Sequence, residues 1–452
     1  MSSAQPALAV APTGSFQPPV PQTIEDTGLS HSLIEQLILK DLYFKSDMTG
    51  RDLATRLGLQ FSLIEGFIEN FKRQHLVDVK KSLAMGSISA WFSLSEAGRR
   101  AAQECLAANQ YNGHAPVPLG QYEAAVRAQR LRRGWVSPQT LATAYRHMVV
   151  SPDILAQIGP AVNSGKSLLI YGQPGNGKTY LAEALFRIDS APVYVPYAIE
   201  CQGRIIQVFD PVYHQPVEDL GAESVLSAFS AEPAFDKRWV KCRRPFIVTG
   251  GELAIEMLDL SFNTASRVYD APLQMKANNG IYLIDDFGRQ RVTPAEVLNR
   301  WIIPLERRVD YLNLQNGGKI TVPFEVFLVF STNMQPDQLG DEAFLRRIQY
   351  KMFMRNPTVE EYISIFEQVC QEQSLHCPRE RLHAFVRDRY FRTRRPMRRC
   401  HPRDVIAHAI DLISFEELEQ ELTSDVLARA WESTFVSDSM EDTVEYEEEL
   451  CA

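Results

Sequence analysis

The sequence predicts an α/β chain: a mostly parallel sheet flanked by helices, a helical unit behind it and a smaller α+β unit in front. Three observations carry this. The apolar runs SLLIYG, VYVPYAI, FIVTG, IYLID and FEVFLVFS read as strands, and stretches of helical spacing separate them, an alternation that builds parallel sheets. The 452 residues exceed one ordinary core and call for two or three domains. A hydrophobic content of 45% with 23% charged residues is that of a globular protein.

No apolar run approaches the ~20 residues needed to span a bilayer, so membrane insertion is not expected. The first residues carry no basic n-region and are broken by prolines, so no signal peptide is expected. The net charge of -9 argues against coating nucleic acid by bulk charge, though not against a local basic patch. Seven scattered cysteines, an odd number without a C-x-x-C pair, read as reduced thiols of a cytoplasmic protein. Cys370, His376, Cys377, Cys400 and His401 group loosely, but their spacing does not favour zinc.

Six segments follow from composition and periodicity. Residues 1–27, rich in Pro, Ala, Ser and Gln, are expected to be disordered. Residues 28–108 show helical spacing in HSLIEQLILKDLYF and in FSLIEGFIENFKRQ, where Phe61, Ile64, Ile68 and Phe71 share a face. Thr49 is placed to cap a short helix that Gly58 ends, and two strands and a further helix follow. This order resembles a winged helix. Ten Lys/Arg against nine Asp/Glu, with Glu65 and Glu69 beside Lys72 and Arg73 on the presumed recognition helix, favour protein contact over DNA. Residues 109–150 read as a linker whose basic stretch RAQRLRRGWV forms a helix face. Residues 151–355 are the α/β unit, 356–436 a helical unit, and 437–452 an acidic, solvated tail.

The decisive stretch is GQPGNGKT, comprising Gly172, Gln173, Pro174, Gly175, Asn176, Gly177, Lys178 and Thr179. It follows the apolar run SLLIY and precedes helical YLAEALFRI, the strand–loop–helix context in which G-x-x-x-x-G-K-[ST] cradles phosphates. The glycines let backbone N–H groups turn inward, Lys178 reaches β- and γ-phosphates, and the Thr179 hydroxyl is a ligand for Mg²⁺. ATP and Mg²⁺ are the expected cofactors. Such a loop needs a second strand that delivers a carboxylate, and IYLIDD supplies Asp285 for the metal. Asp286 then faces the γ-phosphate side, where it can orient a water and accept its proton.

With these residues the chain, from about 150 to 435, resembles the AAA+ ATPase family. The resemblance implies that Asn333, ending FEVFLVFSTN, is the sensor 1 residue. It implies that Arg346 and Arg347 of DEAFLRRIQYKM hold the arginine-finger position, serving a neighbouring subunit's ATP. It makes residues 356–436 the helical lid and places Arg403 of CHPRDVIAHAI at sensor 2 there. A homo-oligomeric, most often hexameric, ring follows from a finger that acts in trans. One departure matters: the family usually ends the acidic strand in Asp-Glu, and this chain has Asp-Asp. A displacement of about 1 Å can cost on the order of 100-fold in rate, so hydrolysis is less secure than binding.

Two segments narrow the branch. YDAPLQMKANNGIYLIDD is similar to the approach to this strand in MoxR-type chaperones, magnesium-chelatase motors and enhancer-dependent activators. YLNLQNGGKITVP alternates around Asn316-Gly317-Gly318 and resembles the pre-sensor 1 hairpin. The long insert VYVPYAIECQGRIIQVFDPVYH reads as two strands around Gln202-Gly203; Phe209 and Tyr213 are core residues or, alternatively, substrate contacts. Three readings stay open: a remodeller or assembly chaperone of an unknown protein client, a DNA-associated ATPase, and a slow nucleotide switch.

Overall fold

The computed structural model describes residues 16–81, 87–131, 134–188, 191–217, 234–315, 317–340 and 342–435. At its centre is a five-stranded parallel sheet: β1 (Ser167–Tyr171), β2 (Phe246–Thr249), β3 (Ile281–Ile284), β4 (Phe327–Thr332) and β5 (Tyr350–Phe353). The spatial order is β2-β3-β4-β1-β5. One row of register runs from Val248 to Leu283, Val329 and Leu168. Every residue of β3 and β4 is buried, because helices cover both faces, and their unbroken apolar runs follow from that. All five strands point the same way, so the segments after β1, β3 and β4 open along one edge. Ligands of wound α/β sheets bind at such an edge.

Two strand expectations are corrected. VYVP is not in this sheet: Val193–Pro196 pairs antiparallel with Trp239–Cys242 as a separate ribbon. Conversely, QYKM within the supposed arginine-finger segment starts β5, which pairs with β1. As an edge strand it buries mainly Met352, so its sequence lacks the continuous apolar signature.

The insert folds as anticipated around Gln202 (φ 51°) and Gly203 (φ 73°), a two-residue left-handed turn joining Ala198–Cys201 to Arg204–Gln207. The hairpin joins a mixed five-stranded sheet with Ser261–Asn263, Val268–Asp270 and Val117–Pro118. Ala198, Ile205 and Val268 pack into the core of the N-terminal unit, so the insert is that unit's seat.

The N-terminal unit has helices His31–Lys45, Gly50–Leu57, Phe61–Arg73 and Glu96–Ala108 around a three-stranded antiparallel sheet with Trp91–Leu94 in the middle. Thr49 caps Gly50–Leu57 in a reciprocal box with Asp52, and Gly58 closes it at φ 67°. Ile64, Ile68 and Phe71 are buried and Phe61 packs against them.

Residues 16–27, expected to be disordered, are held in place. Phe16 meets Tyr194 edge-on, the Asp236 amide donates to the Pro18 carbonyl, and Thr23 and Asp26 cap the turn Ile24–Thr27. Residues 1–15 and the acidic tail lie outside the described residues. The basic stretch at 127–136 is not a helix face, because the helix Leu119–Ala128 stops where it begins; Arg132 and Arg133 are not described. The connector is no tether either: Tyr122 is buried, and its hydroxyl accepts from Asn278 Nδ2 at 2.8 Å. Arg238, 1% exposed, pairs with buried Asp236 and donates to the carbonyls of Thr27 and Pro116, stitching three segments together.

Val309–Asn313 and Lys319–Pro323 form the anticipated hairpin, with Leu312, Ile320 and Val322 buried; Asn316 in its turn is not described. Behind the sheet, helices Val359–Glu372, Arg379–Val386, His401–Phe415 and Ser424–Thr434 enclose their own core of Tyr362, Phe366, Tyr390 and Trp431. Among the described residues, no helix is long and apolar enough to cross a membrane.

Candidate active site

The loop after β1 bends through Gly172 (φ 147°), Gly175 (φ 80°) and Gly177 (φ 78°), backbone angles that L side chains rarely adopt. A Cβ at Gly172 would lie 2.4 Å from the Met354 carbonyl, whereas one at Gly177 would meet nothing within 4 Å. The loop is therefore wedged against the strand end on one side and open on the other. Lys178, 6% exposed, folds back over it and donates to the carbonyls of Gly172 and Gln173, both at 3.0 Å. Burial pushes its ammonium below the usual lysine range, with Asp286 and Asp285 pulling the other way.

The two aspartates part as soon as β3 ends. Asp285 keeps the strand's direction and accepts from the Thr179 hydroxyl through both carboxylate oxygens, each at 2.9 Å. Asp286 turns into the left-handed region (φ 47°), is exposed, and accepts from Asn333 Nδ2 at 3.2 Å. The Gln290 side chain braces this turn by donating to the carbonyls of both aspartates. Asn333, just past β4, also accepts from Lys178 Nζ at 2.6 Å through Oδ1. Lysine, amide and carboxylate thus form one chain across the ends of β1, β3 and β4.

These groups line a cavity of about 540 Å³, well within the range of small-molecule sites. Its other wall is the lid. The Cys400 amide donates to the Gly175 carbonyl at 2.9 Å, and Asn176 Nδ2 donates to Asn356 Oδ1 at 2.8 Å. Arg403, in the first turn of His401–Phe415, lies 5.8 Å above the Tyr180 ring, and His147 meets the same ring edge-on at 5.4 Å. Val149, Val150, Ile365 and Val369 add an apolar recess, with Gln368 and Glu372 as its polar members.

The donor set fits a phosphate-bound magnesium ion. Thr179 and Asp285 offer a hydroxyl and a carboxylate, and among the described residues no three His, Cys, Asp or Glu are grouped to hold a metal by themselves. Mg²⁺ bound by so few protein oxygens completes its shell with phosphate and water.

The cavity thus gathers Pro174 through Thr179, Asp286, Asn333 and Arg403, with Gly172, Gln173 and Asp285 immediately behind. It does not gather Arg346 and Arg347. Arg347 pairs with Glu306 at 2.8 Å, and Arg346 is exposed beside it. Cys400, Asn356, His147 and the Tyr180 stacking escaped sequence reasoning. Tyr180 directly follows Thr179 and was legible; the others are brought in by the lid and the preceding segment.

A family described as a domain of unknown function (DUF8689) matches residues 358–433, the C-terminal helices. No curated protein matches the chain. Among solved structures it is similar to RuvB of Thermotoga maritima, a Holliday junction branch migration motor, at 14% identity and TM-score 0.35, over 63% of this chain and 69% of that one. It is also similar to NtrX of Brucella abortus, at 13% identity and TM-score 0.40, over 70% of this chain and 59% of that one. Likenesses this distant carry no weight for function. The α/β P-loop fold rests on the strand order and the loop geometry themselves.

Proposed function

We propose that the chain is an AAA+ ATPase that binds ATP with Mg²⁺, hydrolyses it, and works in a homo-oligomeric ring as a remodeller or assembly chaperone of other proteins. The observation that carries this reading is the chain Lys178–Asn333–Asp286 beside the Thr179–Asp285 pair, all facing one lid-covered cavity. Lys178 and the loop amides bind phosphate oxygens. Asp286 orients a water and takes its proton, with Asn333 fixing the carboxylate's direction. Thr179 and Asp285 would hold the metal, which would supply charge neutralisation on the phosphates. Arg403 closes the lid side. Arg346 and Arg347 lie outside their own cavity, which is where a finger for a neighbouring subunit would be.

A protein client is favoured over DNA by the helix Phe61–Arg73. Its exposed positions are Ser62, Glu65, Gly66, Glu69 and, at its last residue, Arg73, and Lys72 is engaged by Glu69 at 2.7 Å. Phosphates would meet two carboxylates along the middle of that face and a single guanidinium at its end.

The test is ATP turnover across a protein concentration series for wild type, Lys178→Ala and Asp286→Asn. Specific activity that rises with concentration and is lost in both variants is the expected result. ATP binding without turnover above the Asp286→Asn level would replace the motor with a nucleotide switch.

A further inference from the structure

At the opposite edge of the central sheet, where β2 and β3 begin, lies a second cavity of about 450 Å³. Trp135, Phe186 and Phe246 form apolar walls, and Arg187, Arg243 and Arg244 supply its charge. A smaller recess of about 160 Å³ shares Phe186, Arg243, Arg244 and Phe246 and runs on to Val212 and Tyr213. Among the described residues, no Asp or Glu lines either one.

Among the described residues, the arginines are uncompensated. Arg244 donates to the carbonyls of Gln129 and Asn279, its buried Nε has no partner, and no carboxylate pairs with it. Burial pushes its guanidinium down to about 10. Arg187 and Arg243 are exposed on the rim, and among the described residues neither is in an ion pair. Three cations without an anion among the described residues, one largely desolvated, raise a positive potential inside a low-dielectric groove.

We propose that this groove binds the acidic C-terminal segment of the chain, residues 437–452. That segment reads SDSMEDTVEYEEELCA. It holds Asp438, Glu441, Asp442, Glu445, Glu447, Glu448 and Glu449, and no Lys or Arg. Val444, Tyr446 and Leu450 interleave with the acids and match the groove's aromatic walls. A polynucleotide would call for a long basic track, whereas this groove offers three arginines among apolar walls. The 17 residues after Phe435 can extend roughly 55 Å, longer than the width of one domain. A domain of about 200 residues is roughly 40 Å across. The site is independent of the nucleotide cavity and needs no ATP.

The test uses the full chain carrying Val212→Cys, a rim position 78% exposed, together with native Cys451. Under mild oxidation, mass spectrometry is expected to find a disulfide between the introduced thiol and Cys451, within one chain or between two copies. Adding Arg187→Glu and Arg243→Glu should lower its yield about tenfold, as ion pairs turn repulsive. About 0.5 M salt should lower it in the protein with its arginines intact, which covers misfolding of the reversed variant. Ser62→Cys, exposed on the N-terminal unit, gives the background. A yield at Val212→Cys no greater than at Ser62→Cys, or one insensitive to charge reversal and salt, overturns the proposal.

Discussion

The Asn333 side chain accepts from Lys178 Nζ at 2.6 Å and donates to Asp286 Oδ1 at 3.2 Å, so one amide ties the phosphate-binding lysine to the proposed base. An amide with both ends engaged has a fixed orientation, and a rotated one would satisfy neither partner. Replacing it leaves the loop's backbone donors untouched. Asn333→Ala is therefore expected to bind nucleotide within a few-fold of wild type and to lose about 100-fold in turnover, the scale of removing one preorganised group. Fluorescent-nucleotide titration beside phosphate release separates the two. Parallel loss of both would mean that Asn333 holds the loop rather than the water.

Asp286 makes the same distinction by another route. Its φ of 47° is a conformation that Asn tolerates as well as Asp. Asp286→Asn keeps the turn and the shape of the side chain and removes only the basic oxygen. Stability within about 0.5 kcal/mol of wild type is expected, together with turnover reduced at least about 100-fold. Denaturant melts and single-turnover assays measure the two. A variant that hydrolyses like wild type would assign Asp286 to the turn alone.

The phosphate loop, both aspartates and Asn333 were legible because each ends an apolar strand within a few residues of its chemistry. The lid contacts were not, since Gly175 meets Cys400 and Asn176 meets Asn356 across some two hundred residues, and nothing local marks such pairs. Placing Val193–Pro196 in the parallel sheet failed for the same reason, since its apolar run suits an antiparallel ribbon as well as a parallel core. At β5 the misreading had the opposite cause. Lys351 and Phe353 face outward on an edge strand, so half the apolar signal is missing.

The contact between lid and loop is close enough to test by steric coupling. A Cβ on Gly175 would stand 2.8 Å from Cys400 Sγ, and φ 80° strains any L residue there. Gly175→Ala should weaken nucleotide binding and lower stability by about 1–2 kcal/mol from backbone strain alone, with the clash added. Cys400→Ala removes the sulfur and should relieve the clash but not the strain. The double variant is then expected to be more stable than the two single losses predict, with a coupling of at least about 0.5 kcal/mol. Strict additivity would mean that lid and loop do not touch in solution.

His114 gives the fold a dependence on pH. Its ring stacks on Tyr197 with centroids 3.7 Å apart at the junction of the N-terminal unit and the insert. Burial, and secondarily Arg56, push the imidazole down to about 4, below its unfolded value near 6.5. The native state therefore keeps it neutral while the unfolded chain takes up a proton first. Stability from this group is complete above pH 6.5 and declines as pH falls toward 4, by on the order of 1 kcal/mol after allowing for partial exposure. His401, pushed down to about 3 by burial and by Arg398 and Arg395, acts in the same direction, so one replacement removes only part of the slope. His114→Phe preserves the stack and has nothing to titrate. Urea melts should show the variant gaining on wild type between pH 7 and pH 5, and a constant difference would mean that the imidazole titrates alike in both states.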